Sequence, residues 1–212
     1  LPIWLSTGLE YEPGLYSNAA EVLTLTQDTA KMGGRYISHV RSEDRHFWDA
    51  IEEIINIGEV TGMPVQISHL KIKGPVRWGK IGDAIDLIES YRRNGVDVVV
   101  DAYPYERART NLGVSMQRWA VSGGSAEIAA RIGNPNSKER IVREMKEMLA
   151  EGGYPDYSFA TVAQYCPEPS YNGRTISQIN RILERSATIE NEIQTILDMM
   201  VGGGAEIGRA HV

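Results

Sequence analysis

A chain of 212 residues, 42% hydrophobic and 24% charged, is ordinary globular material and long enough to bury a sizeable core. Its net charge of −6 at pH 7, with no basic stripe interleaved with aromatics, argues against a nucleic-acid partner and for a small molecule. No apolar run approaches the ~18 residues of a bilayer span, so no membrane partner is expected, and the single Cys166 excludes an internal disulfide and fits a reducing, cytoplasmic location.

In chain order, PIWLST reads as a strand and residues 18 to 32 as its helix, ended by Gly33-Gly34. The start lacks both an initiator Met and the basic, small-residue pattern of a secretory signal; a start that is not the natural one, or one trimmed by processing, is expected. RYISH is short, apolar and β-branched, and HFWDAIEEIINIGEVTG after it carries Phe47, Ile51, Ile54 and Ile55 at i, i+4, i+7 and i+8. That is strand, then helix. Gly62, Met63 and Pro64 break the helix, VQISH repeats the strand, and KIGDAIDLIESYRRNG sets Ile81, Ile85, Ile88 and Tyr91 on one helical face with Asn94-Gly95 as the stop. VDVVVDAY supplies a further strand. A βα unit recurs about every 30 residues.

Such alternation requires right-handed crossovers and a parallel sheet. A doubly wound sheet would carry a glycine-rich phosphate turn, and neither G-x-G-x-x-G nor G-x-x-x-x-G-K-[ST] occurs. A (β/α)8 barrel places functional side chains at the C-terminal ends of its strands, where His39, His69 and Asp101 all fall. The barrel is therefore preferred, and as a whole one takes about 250 residues, this chain is expected to hold part of it. From ERARTNLGVSMQRWAVSGGS onward the pattern loosens into loop. A helix at about 137 to 151, a strand within YSFATVAQY, the Pro/Gly-rich loop YCPEPSYNGRT and a helical tail from about 175 to 200 follow. The expected class is α/β: a partial TIM-type barrel of about four βα units plus a C-terminal helical and loop insert covering its mouth.

The chain ends EIGRAHV. A common sequencing-library adapter, AGATCGGAAGAGCACACGTC with one preceding G, translates to the same seven residues. Residues 206–212 are therefore expected to be translated adapter, and His211 no ligand, leaving residues 1–205 for the fold.

Two imidazoles at the tips of adjacent parallel strands sit about 5 Å apart, close enough to share one cation. His39 in YISHVRSE and His69 in VQISHLKIK occupy matched contexts, each followed two residues later by a base, Arg41 and Lys71. Zinc suits neutral imidazole and leaves a coordination position open in catalytic sites. A lone strand-end histidine is more often structural; a matched pair favours a metal site.

STGLEYEPG, YISHVRSE, VQISHLK followed by WGK, and VDAYPY together resemble the N-acyl-D-amino-acid deacylases (D-aminoacylases) of the amidohydrolase superfamily, in register over roughly residues 3 to 125 and more loosely to about 204. The resemblance implies an internal fragment of a (β/α)8 barrel, strands four to seven and the following insert, with one or two zinc ions at the strand ends. It implies that His39 and His69 are metal ligands of the fifth and sixth strands, and that Lys71, Tyr11 and Tyr103 contact the carboxylate or acyl part of the substrate. The family's HxH motif and bridging ligand precede the point where this chain starts, and its catalytic aspartate should follow Gly204, so no residue here is assigned as general base. Cys166 stands in the wrong place to bridge metals.

Among the remaining candidates, Asp101 suits a hydrogen-bonding role behind the ligands, Arg41 and Glu43 an ion pair beside the site or a solvated turn, His46 an exposed helix start, and Cys166 an inert thiol. Lys71 has the alternative of an ordinary surface lysine, and the two tyrosines of rim aromatics. The implied activity of the whole protein is metal-dependent hydrolysis of the amide bond of N-acyl-D-amino acids. The alternatives are another amidohydrolase reaction, on a cyclic amide or dipeptide, and a non-catalytic α/β binding domain.

Overall fold

The structure, a computed structural model, describes residues 3–210. The chain divides into two compact units, the first made of residues up to Lys73 together with Arg77–Pro104, the second of Gly74–Val76 and the residues from Tyr105 onward.

In the first unit the order is β1 (Trp4–Gly8), α1 (Ala19–Lys31), β2 (Arg35–His39), α2 (Phe47–Thr61), β3 (Val65–Ile67), α3 (Ile81–Arg93) and β4 (Val98–Val100). The four strands form one sheet in the order β1-β2-β3-β4, every neighbouring pair parallel. Each crossover carries a helix, as parallel pairing demands. The pairs Gly8↔His39, Ser38↔Ile67 and Ile67↔Val100 align the C-terminal ends of the strands, so the loops that follow them emerge together.

Local sequence explains the helices. Asn18 caps α1 by accepting the Glu21 backbone N–H at 2.9 Å. Helix α2 ends at Gly62, whose φ of 68° puts the chain in the left-handed region that glycine adopts without penalty. Its apolar stripe is buried as the spacing predicts: Phe47, Ile51, Ile54 and Ile55 are all 1% exposed or less and join Tyr36, Val65, Ile67 and Val98 in one core.

Helix α3 departs from expectation. Only Ala84 and Ile88 are buried; Ile81 and Ile85 lie exposed. The inward stripe runs through Ala84, Leu87, Ile88 and Tyr91, spaced i, i+3, i+4 and i+7, so the helix is turned by almost a quarter from the isoleucine face. A small residue at its centre hid that face. Strand β4 buries Val98 alone and exposes Val99 and Val100, because it stands at the edge of the sheet.

The second unit contains β5 (Arg107–Asn111), α4 (Arg118–Val121), α5 (Ser125–Gly133), α6 (Pro135–Gly152), β6 (Ala160–Gln164), α7 (Ile176–Ile182), α8 (Ile189–Val201) and β7 (Glu206–Ala210). Its sheet is antiparallel, ordered β5-β7-β6, over its own core of Leu112, Met145, Ile176, Ile196 and Ile207. Residues 106–125, expected as loop, thus hold a strand and a short helix. In RARTN only Ala108 is buried, too small an apolar signal to mark a strand. The single helical tail is two helices, each opened by a threonine whose hydroxyl accepts a backbone N–H, Thr175 from Gln178 and Thr188 from Asn191. No helix among the described residues is long and apolar enough to cross a membrane.

Candidate functional site

The side chains that matter cluster where β1, β2, β3 and β4 end. His39 is the last residue of β2, and His69 follows β3 in a turn where its own backbone adopts a φ of 40°. A left-handed φ is uncommon outside glycine. It is held by Asp101, just past β4, whose carboxylate accepts the His69 backbone N–H at 2.7 Å and the Gln66 side-chain amide at 2.5 Å. Asp101 therefore supports the histidine through its backbone.

The two imidazoles face each other edge-on, His39 Nδ1 2.8 Å from His69 Nε2. Behind each ring stands a carboxylate. Glu10 Oε2 is 2.7 Å from His39 Nε2, and Glu43 Oε1 is 3.2 Å from His69 Nδ1. Lys71 Nζ lies 2.9 Å from the same His69 Nδ1 and ion-pairs with Glu43. Lys73 Nζ is 2.7 Å from Glu43 Oε2 and 3.5 Å from Glu10 Oε2. Tyr11 packs against the His39 ring at 5.0 Å between centroids, Tyr103 against His69 at 6.2 Å, and Lys71 Nζ stands 5.4 Å from the centre of the Tyr103 ring. All five residues singled out by the sequence, Tyr11, His39, His69, Lys71 and Tyr103, are thus brought together.

Three others are added: Glu10, Glu43 and Lys73. Glu43 does not pair with Arg41; that guanidinium holds Glu53 of α2 through two 2.9 Å bonds and the Ser17 carbonyl at 2.9 Å. Glu43 is 1% exposed and belongs to the two lysines. Lys71, 8% exposed, is no surface lysine. A signal for Glu43 and Lys73 was present. Each stands four residues beyond its histidine, and their loops run side by side, with the Lys73 backbone N–H bonded to the Glu43 carbonyl at 2.6 Å. His46 is exposed near Asp49, Cys166 is exposed, and His211 lies outside the described residues.

Electrostatics follow from burial and pairing. Burial by itself pushes the Glu43 carboxyl up, but the adjacent His69 ring and the charges of Lys73 and Lys71 outweigh it and hold the group well below the usual carboxylate range. Glu10 is lowered in the same way, burial being overcome by the His39 hydrogen bond and by Lys73. For Lys71 the balance falls the other way: burial outweighs the attraction of Glu43 and lowers its pKa. Burial and then the nearby Glu43 charge push the Tyr103 hydroxyl up to about 12, so it stays a neutral donor.

His39, Glu43 and His69 offer ligand atoms that all lie within 4.8 Å of one another. Glu43 turns Oε2 to the Lys73 ammonium at 2.7 Å and Oε1 to the two imidazoles, 3.2 Å from His69 Nδ1 and 3.9 Å from His39 Nε2. Two tetrahedral zinc–nitrogen bonds of about 2.0–2.1 Å hold their nitrogens about 3.3 Å apart. The donor set fits a metal ion if the rings part by about half an ångström from hydrogen-bonded contact.

No family model matches the chain. Over 110 residues, 52% of this chain, it is 36% identical to an N-acyl-D-glutamate deacylase and, over the same length, 36% identical to a D-aminoacylase, both of Alcaligenes xylosoxydans xylosoxydans. Over those residues the chain is similar to N-acyl-D-amino-acid deacylases. It spans 22% of the length of each of these two deacylases. Among solved structures, the N-acyl-D-glutamate deacylase of Bordetella bronchiseptica, complexed with zinc and a phosphonate inhibitor that mimics the tetrahedral intermediate of its reaction, matches over 98% of this chain and 34% of its own, with a TM-score of 0.67 at 23% identity. That likeness is one of fold.

Proposed function

We propose that this chain is part of a metal-dependent amidohydrolase that cleaves the amide bond of N-acyl-D-amino acids, with His39 and His69 among the ligands of zinc and Tyr11, Lys71 and Tyr103 at the place of the substrate. One observation carries it: two imidazole nitrogens face each other across the ends of neighbouring strands, each ring backed by a carboxylate, the arrangement by which proteins orient metal-binding histidines. The deacylase names of the relatives supply the substrate class. Zinc in such a site supplies Lewis acidity and a nucleophile at neutral pH. This chain's residues hold and orient: the Lys71 ammonium, shared with Glu43, faces the carboxylate of the amino acid, and the two tyrosines wall the acyl group. No residue of the chain is assigned as the general acid–base.

The four consecutive parallel strands are on the same proposal strands four to seven of a (β/α)8 barrel, a placement supported by their sequential order without a reversal. Residues 206–212 are proposed to be translated adapter, although Glu206–Ala210 form β7. Reading the parent coding sequence through codon 206 tests this, and native codons encoding EIGRAHV would refute it.

The test of function is metal content. The purified chain should bind zinc, and a His39→Ala/His69→Ala double variant that still folds should not. In a parent restored at both ends, equal zinc binding by both, or none by either, would favour a non-catalytic domain in which the histidines serve only as hydrogen-bond partners.

A further inference from the structure

We propose that Glu10 is a positioning residue that selects which nitrogen of His39 faces His69, and so presets the first half of the metal-binding pair. The inference rests on the proposed metal site but is built from contacts that exist without a metal.

Glu10 is anchored by its neighbours. Gly8 pairs with His39 in the sheet, and the Leu9 backbone N–H donates to the His39 carbonyl at 3.2 Å, so the residue after Leu9 starts from a fixed point beside the imidazole. Its carboxylate reaches His39 Nε2 at 2.7 Å, with Lys73 Nζ 3.5 Å away on the same oxygen. A carboxylate paired with a lysine has only lone pairs to offer, so the proton between them belongs to the imidazole: Nε2 carries the N–H and Nδ1 the lone pair. That lone pair points at His69 Nε2, 2.8 Å away.

One donor direction then runs through the cluster. Lys71 donates to His69 Nδ1 as well as to the Glu43 carboxylate and the His69 carbonyl, His69 Nε2–H donates to His39 Nδ1, and His39 Nε2–H to Glu10. A cation that takes the place of the His69 Nε2 proton finds His39 Nδ1 already unprotonated. Remove Glu10 and His39 Nε2 loses its shortest acceptor, the next carboxylate oxygen, Glu43 Oε1, standing 3.9 Å away. The Nδ1–H tautomer then becomes populated, and that fraction of the molecules turns an N–H toward the metal.

Long-range ¹⁵N–¹H correlation of the imidazoles in the labelled, metal-free chain reads the tautomer directly. Wild type should show His39 protonated at Nε2 alone; an Nδ1–H tautomer there would overturn the proposal without any variant. Glu10→Ala should give both tautomers and lower zinc affinity, measured against a competing chelator, by about 10–100-fold. Glu10→Gln keeps an acceptor oxygen and should restore the Nε2–H tautomer. If Glu10→Ala keeps the wild-type tautomer and binds zinc within twofold of wild type, Glu10 positions nothing. A wild-type chain that binds no zinc, but whose His39 tautomer still follows position 10, would refute the metal site and leave the positioning role standing.

Discussion

Glu43 is the residue on which the cluster's charge balance turns. It lies between Lys71 and Lys73 with almost no exposure, and breaking a buried pair from one side leaves uncompensated charge that costs about 3–5 kcal/mol. Glu43→Ala should therefore lower the free energy of urea unfolding by an amount in that range. Adding Lys71→Met should return part of the loss, since one stranded ammonium is then gone; a double variant no more stable than the single would show that the lysines find water instead. At this scale the sequence was legible where a residue type repeats in a matched context. The two ISH ends announced His39 and His69, and the structure sets their rings 4.5 Å apart between centroids. Glu10 was missed because nothing in STGLEYEPG distinguishes a carboxylate beside an imidazole from one in water; only the β1–β2 register decides that.

At the scale of elements, the period of apolar residues worked when the buried face was made of large side chains and failed when it was not. Ile54 of α2 is fully buried, and Ile54→Ala should cost about 2–5 kcal/mol in thermal or urea unfolding. On α3 the structure reverses the sequence-based ranking. Ile85→Lys, at a position 49% exposed, should stay within about 0.5 kcal/mol of wild type. Ala84→Leu, at a position with no exposure, should overpack the helix against the sheet and cost about 1–3 kcal/mol. The opposite order of effects would mean that α3 sits with its isoleucines inward. Strand β5 was invisible for a related reason: with a single alanine buried, its pairing to β7 is held by backbone hydrogen bonds and not by a readable pattern.

Over the whole molecule, stability should fall at both ends of the pH scale, for reasons that can be separated. The carboxyls of Glu10, Glu43 and Asp44 all titrate lower in the folded chain than in the unfolded one. Their contribution is complete above the unfolded values, 4.5 for the glutamates and 3.8 for Asp44, and is lost as pH falls toward the folded ones. Tyr36 works in the other sense: burial raises its hydroxyl above 10.0, so its contribution is present below that value and disappears as pH rises through the folded one. Denaturation midpoints measured from pH 2 to 12 should show an acid limb that Glu43→Gln flattens and an alkaline limb that Tyr36→Phe flattens. An acid limb unchanged by Glu43→Gln would place the acid-sensitive groups elsewhere.

Because His39 closes β2 and His69 follows the adjacent β3, the gap between the two imidazoles is gauged by the peptide backbone itself: neighbouring strands lie about 4.8 Å apart wherever they pair. Evolution can exchange an outlying group such as the aromatic at 103 without changing that backbone spacing. Side-chain rotation can open the ring-to-ring gap by about the half ångström a metal needs, but the strand spacing beneath it stays the same. A chain that needed a differently sized ion would have to recruit other residues and leave these two histidines where they are.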